Sequence, residues 1–222
     1  MTRLRPWQIA LAAVLLVVAA APAAFVAFRP VTVIPRLSVA PGLALTDEDG
    51  RRLTSDDLKG HMTLYGFAHG TCADGCRGVV SAMAAVQEGL AELPGAPPVR
   101  LVTVSFDPAN DAPATLQAAA RAAGARPGTW SFAVPTDTTA ARRLVGEAFG
   151  VWYERQADGA FRYDPVLVLV DGLGIRRVEY RLGAPDPQRI LGHMRELAVE
   201  ARAGGAMRFA YEAAHFLSCY SN

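Results

Sequence analysis

The chain contains little cysteine and almost no lysine, and one long segment near its amino terminus carries no charge. Three cysteines among 222 residues are too few for a disulfide-stabilised scaffold. Basic and acidic residues number 22 and 21, so the net charge of +1 gives no sign of the basic face that nucleic-acid binding requires. Lys59 is the sole lysine, and we attribute the preference for arginine and alanine to genomic base composition. These scarcities argue against a disulfide scaffold and a nucleic-acid-binding protein.

The uncharged segment covers residues 7–28, a span of 22 positions. About 20 apolar residues are enough to cross a bilayer as a helix. Arg3 and Arg5 precede the segment, which predicts a cytoplasmic amino terminus and an exported remainder. We therefore expect residues 1–28 to be a membrane anchor. A cleaved signal sequence is the alternative, because the small residues of AAAPAA suit a cleavage site.

The rest of the chain divides into three predicted parts. Residues 29–42 contain three prolines and are expected to form an extended linker. Residues 43–203 alternate strand and helix patterns after a hairpin that turns at Asp49-Gly50, which predicts an α/β domain with a central sheet covered by helices. This order is typical of a thioredoxin-like domain. Residues 204–222 are expected to be a C-terminal helical extension.

Two cysteines lie in the segment FAHGTCADGC, directly after the apolar strand pattern HMTLYGFA. If a helix begins near Cys72, then Cys76 lies on the same helical face, about 6 Å further along the axis. The amino terminus of a helix favours the thiolate form. Such a pair would bind a soft metal ion such as Cu(I) or zinc, or act as a redox couple. Two buried, inert cysteines are the remaining interpretation.

Four segments resemble, in order and spacing, the Sco/SenC family of membrane-anchored copper proteins: LTDEDGRRLTSDDLKG, TLYGFAHGTCADGC, VSFDPANDAPATL and HMREL. The family pattern joins an Asp-x-x-Gly hairpin, a Cys-Pro-Asp-x-Cys motif after a strand, and Ser-x-Asp-Pro-x-x-Asp-x-Pro after the next strand. The resemblance covers roughly residues 40–200. The matching positions are Asp47–Gly50, Cys72, Asp74, Cys76, Ser105, Asp107, Pro108, Asp111 and Pro113.

The resemblance implies a thioredoxin fold that binds one copper ion, Cu(I) above all, through Cys72, Cys76 and a histidine. It also implies a role in maturing the dinuclear copper centre of cytochrome c oxidase, by delivering copper, by reducing the target's cysteines, or both. The expected partner is the oxidase subunit that holds the copper centre, or another exported copper or thiol protein. The alternatives are a membrane-anchored thiol–disulfide reductase with Cys72 and Cys76 as catalytic residues, and a non-catalytic interaction protein.

The chain departs from the family pattern at two positions. Tyr163 stands where the family has its histidine, and a phenol is a poor ligand for Cu(I). Ala73 replaces the proline after the first cysteine. Pro165 matches the position of the cis-proline in thioredoxin-like oxidoreductases, which favours the reductase alternative. A proline that simply begins a strand is the other interpretation.

Two other histidines are candidates for the third ligand. His69 lies three residues before Cys72, and His215 forms a His-x-x-x-Cys pattern with Cys219 in the tail. No glycine-rich nucleotide motif follows a strand, so no organic cofactor is expected. Asp111 is expected to cap the helix that Pro113 begins and Gly124 ends.

Overall fold

The computed structural model describes residues 5–28, 31, 33–70, 76–93, 95–181 and 186–218. The chain forms two compact units. One unit, Ile34–Arg202, carries the β-sheet and the cysteine motif. The other combines Met1–Val33 with Ala203–Asn222.

The helices form where the sequence shows helical spacing of apolar residues. A 3-10 turn at Leu90–Glu92 follows the second helix, and a π-helix at Arg142–Ala148 continues the fourth. The described helices are α1 (Pro6–Phe28), α2 (Arg77–Gly89), α3 (Pro113–Ala122), α4 (Thr138–Ala141), α5 (Pro187–Arg202) and α6 (Gly205–Ser218).

The strands form one mixed sheet and one separate hairpin. The sheet has the order β1-β10-β9-β4-β5-β6-β2-β3, and β7 pairs with β8. Parallel pairing joins β4 to β5 and β5 to β6, whereas β9 runs antiparallel to β4. The described strands are β1 (Ser38–Val39), β2 (Ala44–Asp47), β3 (Arg52–Thr54), β4 (Met62–Ala68), β5 (Val99–Ser105), β6 (Trp130–Val134), β7 (Tyr153–Arg155), β8 (Phe161–Tyr163), β9 (Val166–Val170) and β10 (Ile175–Arg181).

Strand β4 is buried along its whole length because both faces of the sheet are covered. Leu64 points into the core that contains residues of α2 and α5, and Phe67 points into the opposite core with Phe149. Gly66 is needed for this packing, since a Cβ atom there would collide with Met83 of α2. The predicted α/β class is confirmed, and α2 packs closely against β4.

Residues 7–28 lie within α1. Among the described residues, no helix combines the length and the hydropathy of a membrane span. The transmembrane helix expected within residues 1–28 is therefore not supported by the structure.

The N-terminal hairpin of β2 and β3 was expected from the sequence, whereas the short hairpin of β7 and β8 was not. The predicted N-terminal hairpin is confirmed, with β2 paired to β3 and Gly50 at a φ of +78° in its turn. The hairpin of β7 and β8 was not predicted, although Asp158-Gly159 is a typical turn sequence and Gly159 has a φ of +85°. The second hairpin matters because it ends at Tyr163.

Candidate metal and thiol site

The candidate site lies where the carboxyl ends of β4 and β5 meet. The two strands are parallel and in register, with Ala68 opposite Ser105. His69 and Gly70 therefore leave β4 beside the point where Phe106 leaves β5. This pairing brings the cysteine motif and the Ser-x-Asp-Pro motif to one edge of the sheet, as parallel strands require.

Cys76 is the N-cap residue of α2 and is almost fully buried, with 1% of its surface exposed. It is disulfide-bonded in the structure. Cys72, Ala73 and Cys219 lie outside the described residues. The described part of α2 begins at Arg77, so the possible helix start near Cys72 lies outside the described residues.

Asp111 holds the backbone that leads into the cysteine motif. Its Oδ2 atom accepts a hydrogen bond of 2.7 Å from the Gly70 amide and another from the Ser105 hydroxyl. Its Oδ1 atom is buried without a hydrogen-bond partner. A Cβ atom on Gly70 would lie 2.7 Å from that Oδ1 atom, so glycine is required there. The predicted capping role of Asp111 is wrong: the N-cap of α3 is Ala112, and the carboxylate instead binds Gly70 and Ser105.

We call Gly70, Ser105, Asp107 and Asp111 the polar wall of the site. The Ser105 hydroxyl oxygen accepts a hydrogen bond of 3.0 Å from the Asp107 amide, so it links the two aspartates. Burial raises the pKa of Asp111, against the opposing effect of the hydrogen bonds from Ser105 and Gly70. The polar wall therefore directs the hydrogen bonds of Gly70 and Ser105 to one oxygen of a buried carboxyl group, whose other oxygen has no hydrogen-bond partner.

Five rings form the aromatic wall of the site: His69, Phe106, Tyr153, Phe161 and Tyr163. The ring of Phe106 is central, with centroid distances of 5.0 Å to Tyr153, 5.2 Å to Tyr163, 5.3 Å to Phe161 and 5.4 Å to His69. The β7–β8 hairpin supplies three of these rings and places Tyr153 opposite Tyr163. Burial raises the pKa of Tyr163 to about 12, so its phenol is protonated at neutral pH.

A pocket of about 340 Å³ opens beside Cys76. His69 and Gly70 also line it, together with Thr103, Ser105 and Phe132. Burial lowers the pKa of His69, and the negative charges of Asp111 and Asp107 only partly oppose this effect. The imidazole is therefore neutral at neutral pH and lies at the same pocket as the buried cysteine.

The donor atoms suit a soft metal ion. Within the described residues, no three histidine, cysteine, aspartate or glutamate side chains lie close enough to hold a metal. Cys72 is not among the described residues. Two thiols and a neutral imidazole match the preference of Cu(I), whereas the buried oxygen of Asp111 is a hard donor that does not.

Two further predictions concern residues away from this pocket. The Asp164–Pro165 bond is trans, since no peptide bond in the described ranges is cis. The cis-proline expected under the reductase hypothesis is therefore not found. His215 lies buried in α6, in the other compact unit, and Cys219 is outside the described residues.

The domain has a mixed sheet with helices on its faces, and Cys76 lies at the amino end of α2, the helix that follows the central strand β4. This arrangement is that of a thioredoxin-like domain. The family model described as SCO1/SenC matches residues 35–180 of this chain. The match covers more than half of the chain, and the chain belongs to the SCO1/SenC family.

Solved structures of similar proteins show the same fold. A SCO1/SenC family lipoprotein from Bacillus anthracis str. Ames is 21% identical, with a TM-score of 0.67, over 72% of this chain and 95% of that one. Arabidopsis thaliana ScoI with copper bound is 20% identical, with a TM-score of 0.63, over 72% of this chain and 98% of that one.

BsSco, described as a Sco-family cytochrome c oxidase assembly protein with a disulfide switch, is also similar. It is 20% identical, with a TM-score of 0.64, over 74% of this chain and 96% of that one. A comparison with curated proteins found no match. At these identities, the likeness to the solved structures shows the thioredoxin-like fold.

Proposed function

We propose that the chain is a copper-binding assembly protein that helps mature the copper centre of a respiratory cytochrome c oxidase. The thiolates of Cys72 and Cys76 hold one Cu(I) ion. The observation that carries this proposal is the position of Cys76, buried at the N-cap of α2 and beside the pocket at the carboxyl end of β4. Family membership supports it, because the relatives include ScoI with copper bound.

The position of Cys76 suits a thiolate that binds and releases a soft metal ion. The amino terminus of α2 carries the positive end of the helix dipole, which stabilises a negatively charged sulfur. The polar wall fixes the backbone before the motif, since the Gly70 amide is bound to Asp111. Transfer to a partner then proceeds by ligand exchange, in which the partner's thiolates replace those of Cys72 and Cys76 one at a time.

The proposed partner is the oxidase subunit that holds the copper centre, and the proposed location is the exported side of the membrane. Arg3 and Arg5 before the uncharged residues support export. Sequencing the amino terminus of the mature protein would show whether residues 1–28 remain attached. Alkaline extraction of membranes would show whether the protein is held there as an integral protein.

A thiol–disulfide reductase is the second candidate function, and the disulfide at Cys76 favours it. In this reaction one thiolate attacks the partner's disulfide and forms a mixed disulfide. The second cysteine then displaces the partner's sulfur, so the partner gains two thiols and this chain gains one disulfide. The same cysteines serve both candidates, so the experiment must separate copper transfer from electron transfer.

A two-part transfer experiment separates the candidates. The full-length chain, loaded with Cu(I), is mixed with the reduced, copper-free domain of an oxidase copper-centre subunit, and copper is measured in each protein after separation. The reduced chain without copper is then mixed with the same domain in its disulfide form. The proposal predicts copper transfer in the first part. Failure of that transfer with rapid reduction in the second part would replace it with the reductase function.

A further inference from the structure

A second cavity, of about 500 Å³, opens beside the aromatic wall. Phe106, Tyr153 and Phe161 belong both to the aromatic wall and to the lining of this cavity. The loop after β5 and the helix formed by α4 and its π-helical continuation supply the other sides. Single π-helical turns within α-helices are frequent at functional sites. We call this cavity the arginine groove, because Arg142 and Arg155 line it.

The two arginines of the groove have no acidic partner. Among the described residues, no carboxylate forms a salt bridge with Arg142 or Arg155. The Cζ atom of Arg155 lies 5.6 Å from the centroid of the Phe161 ring. Burial raises the pKa of Tyr153, and the positive charge of Arg142 opposes this effect, so that guanidinium lies near the phenol. Both side chains are exposed and keep their donors available to a ligand.

The acidic residues that border the groove are engaged elsewhere. Asp107 is buried, and its Oδ2 atom accepts a hydrogen bond of 2.7 Å from the Asn110 side chain. Glu154 lies opposite Arg162 in the β7–β8 hairpin, and strand alternation places it on the face that Tyr153 does not share. The groove therefore presents two guanidinium groups, which suit a carboxylate ligand.

Strand β7 borders the groove with an open edge. Alternate residues of β7 bond to β8, as the Gln156 amide does by donating to the Ala160 carbonyl. The amide and carbonyl groups of Tyr153 and Arg155 therefore point away from β8. Within the described chain, β7 pairs with β8 alone. An open edge beside a side-chain groove is the feature on which an extended peptide adds a strand.

We infer that the arginine groove binds an extended segment of the partner protein, and that an acidic side chain of this segment pairs with Arg142 and Arg155. The inference rests on the proposed function for the identity of the partner, and it adds the surface on which the partner docks. Phe106 of the groove contacts His69, which lines the pocket beside Cys76, so the groove adjoins the candidate site. Arginine and aromatic side chains are enriched among the residues that dominate protein–protein binding.

The test uses a peptide of defined charge. The full-length chain is titrated by calorimetry with the blocked peptide acetyl-GLELDG-amide and with its neutral counterpart acetyl-GLQLNG-amide. We expect the acidic peptide to bind more tightly, and an Arg142→Gln, Arg155→Gln double variant to bind it about tenfold more weakly than the parent does. Arg143→Gln is the matched control, since Arg143 is the exposed neighbour in the same helix and its charge acts on Asp137.

Gly146→Leu tests the groove without removing a charge. A Cβ atom at Gly146 would lie 3.8 Å from the Tyr153 ring and 4.0 Å from the Arg142 side chain, so a longer side chain there enters the groove. We expect Gly146→Leu to weaken binding of the acidic peptide as much as the double arginine variant does. Gly146→Ala should bind it as the parent does, because a methyl group leaves the groove open. Circular dichroism checks that both variants are folded.

The outcomes separate this inference from the proposed function. The inference is overturned if the parent does not bind the acidic peptide in preference to the neutral one, or if the arginine and leucine variants bind it as tightly as the parent. Transfer of Cu(I) to the oxidase domain should need about tenfold more of that domain in the double arginine variant, with the copper content of the chain unchanged. Peptide binding as expected, without copper transfer by the parent, would overturn the proposed function and keep the groove as a docking surface.

Discussion

The polar wall and the aromatic wall both lie at the carboxyl ends of β4 and β5 but are built in different ways. The hydrogen bonds of the polar wall centre on Asp111. Its acidic residues come from one motif after β5, whereas Gly70 follows β4 and lies 41 positions before Asp111. The aromatic wall gathers rings from β4, β5 and the β7–β8 hairpin around Phe106. The polar wall therefore depends on the pairing of β4 with β5, whereas the aromatic wall also requires the β7–β8 hairpin.

The two walls also serve different purposes. The polar wall holds the backbone at Gly70, just before the two cysteines, because Asp111 accepts a hydrogen bond from the Gly70 amide. The aromatic wall fixes a side chain, because Phe106 and Phe161 hold the imidazole of His69. The comparison predicts that damage to the aromatic wall costs more stability, and that damage to the polar wall changes the pH dependence of stability.

The largest expected effect is that of Phe106→Ala. Removing this buried ring takes away the centre of the aromatic wall and leaves a cavity, at a cost of about 3–5 kcal/mol in the free energy of unfolding. Urea unfolding followed by circular dichroism would measure the loss. Leu173→Ala is the control, because Leu173 is 81% exposed and its truncation should have little effect. Equal losses in the two variants would contradict the central role of Phe106.

Asp111→Ala should have the next largest effect. The change leaves the Gly70 amide and the Ser105 hydroxyl without their acceptor, at a cost of about 1–3 kcal/mol. Asp57→Ala is a matched control, since Asp57 also accepts one amide and one hydroxyl hydrogen bond, both from Thr54, but is exposed. Thermal unfolding should therefore show a smaller loss for Asp57→Ala. A similar loss in both would mean that burial of the polar wall is unimportant.

The aromatic wall should accept an imidazole at residue 163. Tyr163→His replaces the phenol beside Phe106 by an imidazole, at the position where the family pattern has its histidine, and we expect it to increase the affinity for Cu(I) about tenfold, or by about 1.4 kcal/mol. Chelator competition measures the change, with Tyr163→Phe as the control that keeps a ring but has no imidazole at this position. No gain over that control would show that an imidazole at residue 163 does not bind the copper ion.

The smallest expected effect is a pH dependence that arises from the polar wall. Burial raises the pKa of Asp111 above its ordinary value of 3.8, so the folded state holds the proton more tightly than the unfolded state. Stability from this group is present below 3.8 and is lost as the pH rises through the folded-state pKa. Asp111→Asn should remove this loss, which urea unfolding between pH 4 and pH 8 would detect as a shallower decline. An unchanged profile would assign the pH dependence to other groups.

Much of the fold follows from the sequence because its strands have strong patterns. The apolar run was sufficient to predict β4, and the turn glycine was sufficient to predict the N-terminal hairpin. The β7–β8 hairpin was missed because each strand has only three residues, too few to show an alternating pattern. Asp158-Gly159 was the one available signal.

The site could be predicted only in part. The motif identified Ser105, Asp107 and Asp111, but not that Asp111 would bind Gly70 rather than cap α3. That choice depends on the pairing of β4 with β5, which brings residues 41 positions apart together. The same pairing brings His69 against Phe106, a contact that spacing along the chain does not show.

The stoichiometry of Cu(I) binding tests the central claim most directly. The full-length chain and its Cys72→Ser, Cys76→Ser double variant are reduced without oxygen, loaded with Cu(I) and challenged with a chelator. We expect the parent to keep one copper ion per chain and the double variant to keep none. If copper is removed from the parent as easily as from the double variant, the cysteine pair does not hold copper and the chain is not a copper-binding assembly protein of this kind.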